Sequence, residues 1–103
     1  MAPNLCIIFN PAAGERKRAR LYAALDVLFG LGVKFELLET SAPGDAERLA
    51  RLAAQKDRIV VAAGGDGTIA EVAAGLEGTS ALLGLLPLGT ANVFALELAV
   101  PLN

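Results

Sequence analysis

The sequence predicts an α/β fold, a three-layer sandwich built on a mostly parallel sheet of about four strands. Three observations predict it. Short apolar runs bounded by turn residues alternate with longer segments whose apolar residues recur at helical spacing. The connections between them are too short for anything but spatial neighbours, which favours parallel βαβ units. Loops rich in Gly, Pro, Asn and Thr follow each strand-like run, where the carboxyl ends of parallel strands hold ligands.

Leu5 to Phe9 is a continuous apolar run between Asn4 and Asn10-Pro11, as expected of a strand covered on both faces. From Glu15 to Phe29, Leu21, Leu25 and Leu28 mark a helix, with Gly30 and Gly32 as its stop. Val33, Phe35 and Leu37 then alternate with Lys34, Glu36 and Leu38, a period of two suited to a strand nearer the sheet edge. Pro43-Gly44-Asp45 opens a second helix through Ala46, Leu49 and Ala53 to about Lys56. Arg58 to Ala63 reads as the third strand, Ile69 to Leu76 as a short helix, Leu82 to Leu86 as the fourth strand, and a last helix is expected to start near Thr90. A strand order of 2-1-3-4 places strands 1 and 3 side by side at a switch point.

With 103 residues there is room for one small domain, burying ~65% of its unfolded surface. Hydrophobic residues make up 54% and charged residues 19%, too apolar a balance for a disordered segment. The formal net charge is -2, so no global field attracts nucleic acid, and any affinity for anions must be local. The absence of histidine removes Ser-His-Asp and Cys-His catalysis and histidine-based zinc sites. The single cysteine, Cys6, falls in the first apolar run, so a buried thiol and a cytoplasmic protein are expected. The uncharged stretch from Gly78 to Leu96 has the length of a membrane span, but Gly84, Pro87, Gly89, Thr90 and Asn92 break it into a strand, a turn and a helix start.

Chemistry concentrates in four loops: Asn10-Pro11-Ala12-Ala13-Gly14, Thr40-Ser41, Gly64-Gly65-Asp66-Gly67-Thr68 and Leu88 to Asn92. The third is the most informative. Three glycines around one aspartate let backbone N–H groups approach a ligand with no Cβ in the way, and the following helix directs its positive end there. That suits phosphate. Asp66 among such amides would repel the ligand unless a cation lay between them, which implies Mg²⁺; the plainer alternative is a tight turn with Asp66 as a helix cap. Thr68-x-x-Glu71 matches a capping box, so Glu71 is expected to act structurally. The basic run Arg16-Lys17-Arg18-Ala19-Arg20 is either a solvated face or the source of a triphosphate contact by Arg16 or Lys17. Gly84-x4-Gly89-Thr90 lacks the lysine of a P-loop. Gly65-x-Gly67-x-x-Ala70 follows the wrong strand, and lacks the acid, for a dinucleotide fingerprint.

In this order and spacing, NPAAG, Thr40, GGDGTIAEVAAGL and LPLGTANVFA resemble the catalytic domain shared by diacylglycerol, sphingosine and ceramide kinases and their bacterial lipid-kinase relatives. GGDGT also occurs in NAD kinases; the Asn-Pro and PLGT-x-N loops favour the lipid kinases. The resemblance implies the N-terminal domain of the NAD kinase and diacylglycerol kinase fold, binding ATP with Mg²⁺ and transferring the γ-phosphoryl group to a lipid hydroxyl. It implies nucleotide contacts by Asn10, Gly14, Thr40, Gly64, Gly65, Asp66, Gly67, Thr68, Gly89, Thr90 and Asn92, with Asp66 as the catalytic metal-coordinating carboxylate, while Pro11 and Arg16 are candidates by their position in and beside the first loop.

Ala13 stands where a hydroxyl residue is common, so the first loop is expected to use its backbone and Gly14. Val93 replaces a common aspartate, which weakens a second carboxylate. The general base and the lipid site are expected in a following β-rich domain, so residues 1–103 by themselves are expected to be inactive. Peripheral membrane contact would come with the lipid substrate. An NAD kinase-like phosphotransferase and a non-catalytic nucleotide-binding module are the alternatives.

Overall fold

Successive residues of the first strand point to opposite faces of the sheet, and this alternation builds the layers. In a computed structural model describing residues 4–56, 59–88 and 97–98, β1 spans Asn4–Phe9. Its Leu5, Ile7 and Phe9 pack against Leu21, Ala24 and Leu25 of α1 (Glu15–Gly30). Cys6 and Ile8 face the other way, toward α2 (Asp45–Ala53) and α3 (Asp66–Leu76). One helix therefore covers one face and two cover the other.

The remaining strands are β2 (Lys34–Glu39), β3 (Ile59–Gly64), β4 (Leu82–Pro87) and β5 (Glu97–Leu98). Their order is β2-β1-β3-β4-β5, with β1 to β4 mutually parallel and β5 antiparallel to β4. The parallel part is the predicted 2-1-3-4. The fifth strand was not expected, the sequence suggesting only a helix that starts near Thr90: Glu97 and Leu98 pair with Leu85 and Gly84. Residues 89–96 lie outside the described residues, and with them the predicted start of that helix at Thr90. Residues Val60 to Gly64 of β3 are all buried, as suits the strand beside the switch point, whereas β2 exposes Lys34, Glu36 and Glu39 at the sheet edge.

Two helix boundaries differ from expectation for local reasons. Of the two glycines expected to stop α1, Gly30 is its last residue and Gly32 makes the left-handed step at φ +78°, letting Val33 N–H return to the Leu28 carbonyl. The third helix begins at Asp66 rather than Ile69, so it absorbs most of the glycine loop. Helices α2 and α3 approach closely because small residues line their seam: Ala46, Ala50 and Ala53 on one side, Gly75 on the other. No helix among the described residues is long and apolar enough to cross a membrane.

Candidate functional site

The carboxyl ends of β1, β2 and β3 open into one cavity of about 750 Å³, walled by the loops after each strand. It sits where crossovers leave β1 and β3 in opposite directions, the place at which open α/β sheets hold ligands.

In the first loop, Pro11–Ala13 forms a single 3-10 turn, and the Asn10 carboxamide oxygen accepts the Ala12 N–H at 2.9 Å. Asn10 therefore shapes its own loop while still lining the cavity with Pro11. Gly14, at φ +108°, lets the chain turn into α1 but does not line the cavity. On α1 it is Lys17 that lines it, with Nζ 4.0 Å from the point a Cβ on Gly65 would occupy. Arg16 is exposed and outside the lining. The other two cations of the run are committed elsewhere. Arg18 lies 5.5 Å from the Phe9 ring centroid and bonds Tyr22 and Glu39, which raise its pKa above the usual guanidinium value. Arg20 donates to the Leu88 carbonyl at 2.8 Å, tying α1 to the end of β4.

The third loop divides its glycines between two duties. Gly64 is required by the fold, with φ +147° and a would-be Cβ 3.3 Å from Thr68 Oγ1. Gly65 and Gly67 line the cavity, and a Cβ on Gly67 would meet nothing within 4 Å. Gly65 is the N-cap of α3 and supplies no capping side chain, so the first amides of the helix have no side-chain acceptor at that end. Asp66 is the first helical residue and is exposed beside the cavity rather than lining it.

The expected capping box does not form. Thr68 is the third residue of α3, already inside the helix, and no cap bond joins it to Glu71. Instead Gly67, Thr68 and Glu71 share one helical stripe on the cavity wall. Glu71, half-buried, is thus a site residue that the capping motif concealed; its spacing of four from Gly67 is the signal that could have found it. Lys17 and Glu71 carry opposite charges in the same cavity, yet form no ion pair with each other or with any other described residue.

The second loop is held by a carboxylate. Thr40, nearly buried, lines the cavity and donates its N–H to the Phe9 carbonyl at 2.9 Å. Oδ2 of Asp45 accepts from Ser41 N–H (2.8 Å), Ser41 O–H (2.7 Å) and Ala42 N–H (3.1 Å), while Oδ1 takes Arg48 at 3.4 Å. The Ser41 hydroxyl, then its backbone N–H, lower the Asp45 pKa from 3.8 to about 2. A depressed carboxylate contributes stability above its unfolded pKa and loses it as pH falls through the folded value. The difference in urea midpoint between the native protein and Asp45→Asn is therefore expected to be constant above pH ~5 and to shrink toward pH 2. A difference unchanged over that range would show that the bonds do not favour the ionised form.

Of the residues singled out in the sequence, the cavity brings together Asn10, Pro11, Thr40, Gly65, Gly67 and Thr68. Gly14, Arg16, Gly64 and Asp66 do not line it. Gly89, Thr90 and Asn92 lie outside the described residues. Among the described residues no group of three or more Asp, Glu, Cys or His side chains gathers around a point.

The chain is thus an α/β domain whose glycine-lined cavity lies at the switch point of its parallel sheet, beside one helix start and one ammonium. The chain belongs to the diacylglycerol kinase catalytic domain family, whose sequence profile matches residues 4–103. It is 46% identical over 104 residues to the "Probable lipid kinase YegS-like" of Xanthomonas campestris pv. campestris (strain 8004), covering 94% of this chain and 33% of that protein. It is 38% identical to "Diacylglycerol kinase" of Bacillus subtilis (strain 168), covering 92% of this chain and 33% of that protein. A crystal structure of a diacylglycerol kinase from Bacillus anthracis str. Sterne superposes with a TM-score of 0.67 at 27% identity, over 86% of this chain and 31% of that one. The chain thus spans about a third of the length of the curated relatives it matches.

Proposed function

We propose that these residues form the nucleotide-binding part of an ATP-dependent lipid kinase, which transfers the γ-phosphoryl group of MgATP to a hydroxyl of a diacylglycerol-like lipid. The carrying observation is the cavity itself, where Gly65 and Gly67 leave the start of α3 uncapped and open beneath the ammonium of Lys17. Amides at a helix start and a lysine are the groups that hold a polyphosphate. Glu71, four residues beyond Gly67 on the same stripe, would accept hydrogen bonds from the nucleoside.

Asp66 suits Mg²⁺ as a single exposed carboxylate with no ion-pair partner among the described residues, since this ion commonly takes one or two carboxylates together with phosphates and water. The ion, when bound, neutralises phosphate charge. In the transfer, the lipid oxygen bonds to the γ-phosphorus as the bond to the β,γ-bridging oxygen breaks, ADP leaves and the hydroxyl proton passes to a base. Phosphoryl transfer asks a protein mainly for positioning and charge stabilisation, and the cavity residues supply these for the donor. Base and acceptor site would lie outside residues 1–103, because the relatives named lipid kinases are about three times as long.

NMR titration with ADP tests the reading. Shifts at Gly65, Gly67 and Thr68 that grow on adding Mg²⁺ are expected, and Asp66→Asn should abolish the Mg²⁺ dependence with little change in melting temperature. Saturating MgADP without perturbation of these amides would remove the proposal.

A further inference from the structure

We infer that Asp45, which does not line the cavity, is a positioning residue that fixes the nucleoside-facing wall by closing the loop Thr40 to Gly44 onto the start of α2. The inference rests on the nucleotide reading above. Four consecutive residues of this loop, Thr40 to Pro43, line the cavity, as does Ala46 one residue beyond Asp45. Ser41 to Gly44 are all exposed, so apolar packing does not hold them. What holds them is one carboxylate oxygen, which accepts from Ser41 N–H, Ser41 O–H and Ala42 N–H, with the Asp45 N–H returning to the Ala42 carbonyl at 3.1 Å.

This arrangement has two effects on a ligand. The Ser41 and Ala42 amides are turned to Asp45 and are not offered to phosphate, and no cation is present between Thr40 and Pro43. The wall presents Thr40, Ala42, Pro43 and Ala46 instead, a mostly apolar surface suited to a nucleoside rather than to a polyphosphate. Gly44, at φ +89° with no side chain to cap α2, gives the chain the bend that brings Asp45 back over the loop. Without the carboxylate the loop samples other conformations, and apparent affinity falls with the fraction of time the wall is in place.

The test compares MgADP with inorganic tripolyphosphate by calorimetry on the native protein, Asp45→Asn, Ser41→Ala and the double variant, with amide exchange at Ser41 and Ala42 measured without ligand. The expected result is a loss of MgADP affinity of roughly fivefold to tenfold in Asp45→Asn, matching a competent fraction of ~10–20%, with faster exchange at both amides. Tripolyphosphate affinity should stay unchanged, and the double variant should be no worse than Asp45→Asn, because both changes break the same bonds. If Asp45→Asn fails to fold, Ser41→Ala, altered at an exposed residue, carries the same comparison with a smaller loss. Equal losses for both ligands, or faster exchange with unchanged MgADP affinity, would overturn the inference and leave the nucleotide reading standing. No MgADP binding by the native protein would overturn both.

Discussion

Gly75→Ala is expected to destabilise the chain by about 3 kcal/mol, the upper end of the usual cost of overpacking. A Cβ at this position would run into the Glu47 backbone carbonyl and lie 2.9 Å from the Ala50 Cβ. Neither atom belongs to a flexible side-chain end, so relief requires α2 and α3 to separate, and that opens the layer where Ala46, Ala50, Val72 and Leu76 are buried. Helix propensity pulls the other way, favouring alanine by ~1 kcal/mol. Sterics should prevail because the obstacle is backbone. Urea unfolding of the variant measures the outcome, and a midpoint at or above that of the native protein would mean that the two helices are not in close contact.

Gly67→Ala on the same helix should have the opposite signature. A Cβ there meets nothing within 4 Å, so the folded state tolerates it, and the lower entropy of the unfolded chain favours the variant by ~0.5 kcal/mol. MgADP affinity, however, should fall about tenfold to a hundredfold, as expected when one charge-assisted hydrogen bond to phosphate is lost. The cavity face of Gly67 then emerges as ligand space rather than spare room. Unchanged affinity would place the phosphates elsewhere.

Sheet topology was legible in the sequence because β1 and β3 are apolar on both faces and the connections are short, leaving few ways to arrange four parallel strands. The loops after β1, β2 and β3 were legible as a site for the same reason. Helix phase was harder. Four cations crowd the first turns of α1, and Lys17 is distinguished from Arg16 by standing in register with Leu21, Ala24 and Leu28, which pack toward the sheet. The start of α3 was hidden because glycines are poor helix formers, so a loop was expected where Asp66 already begins the helix; Thr68 then looked like a cap and Glu71 like its partner. Asp45 escaped notice because its partners depend on the bend at Gly44, a backbone conformation that composition does not specify. The two-residue β5 is too short for any periodicity.

The close seam between α2 and α3 also bears on how the cavity is walled. Gly75 lies against the backbone of α2 with no room for a side chain between the two helices. The wall made by Thr40 to Ala46 and the wall made by Gly67 to Glu71 therefore rest on one packed pair of helices. The remaining wall is built apart from that pair, by the 3-10 turn after β1 and by Lys17 of α1, which covers the other face of the sheet. A substitution that loosens the seam at Gly75 should consequently disturb two walls of the cavity at once and leave the turn after β1 in place.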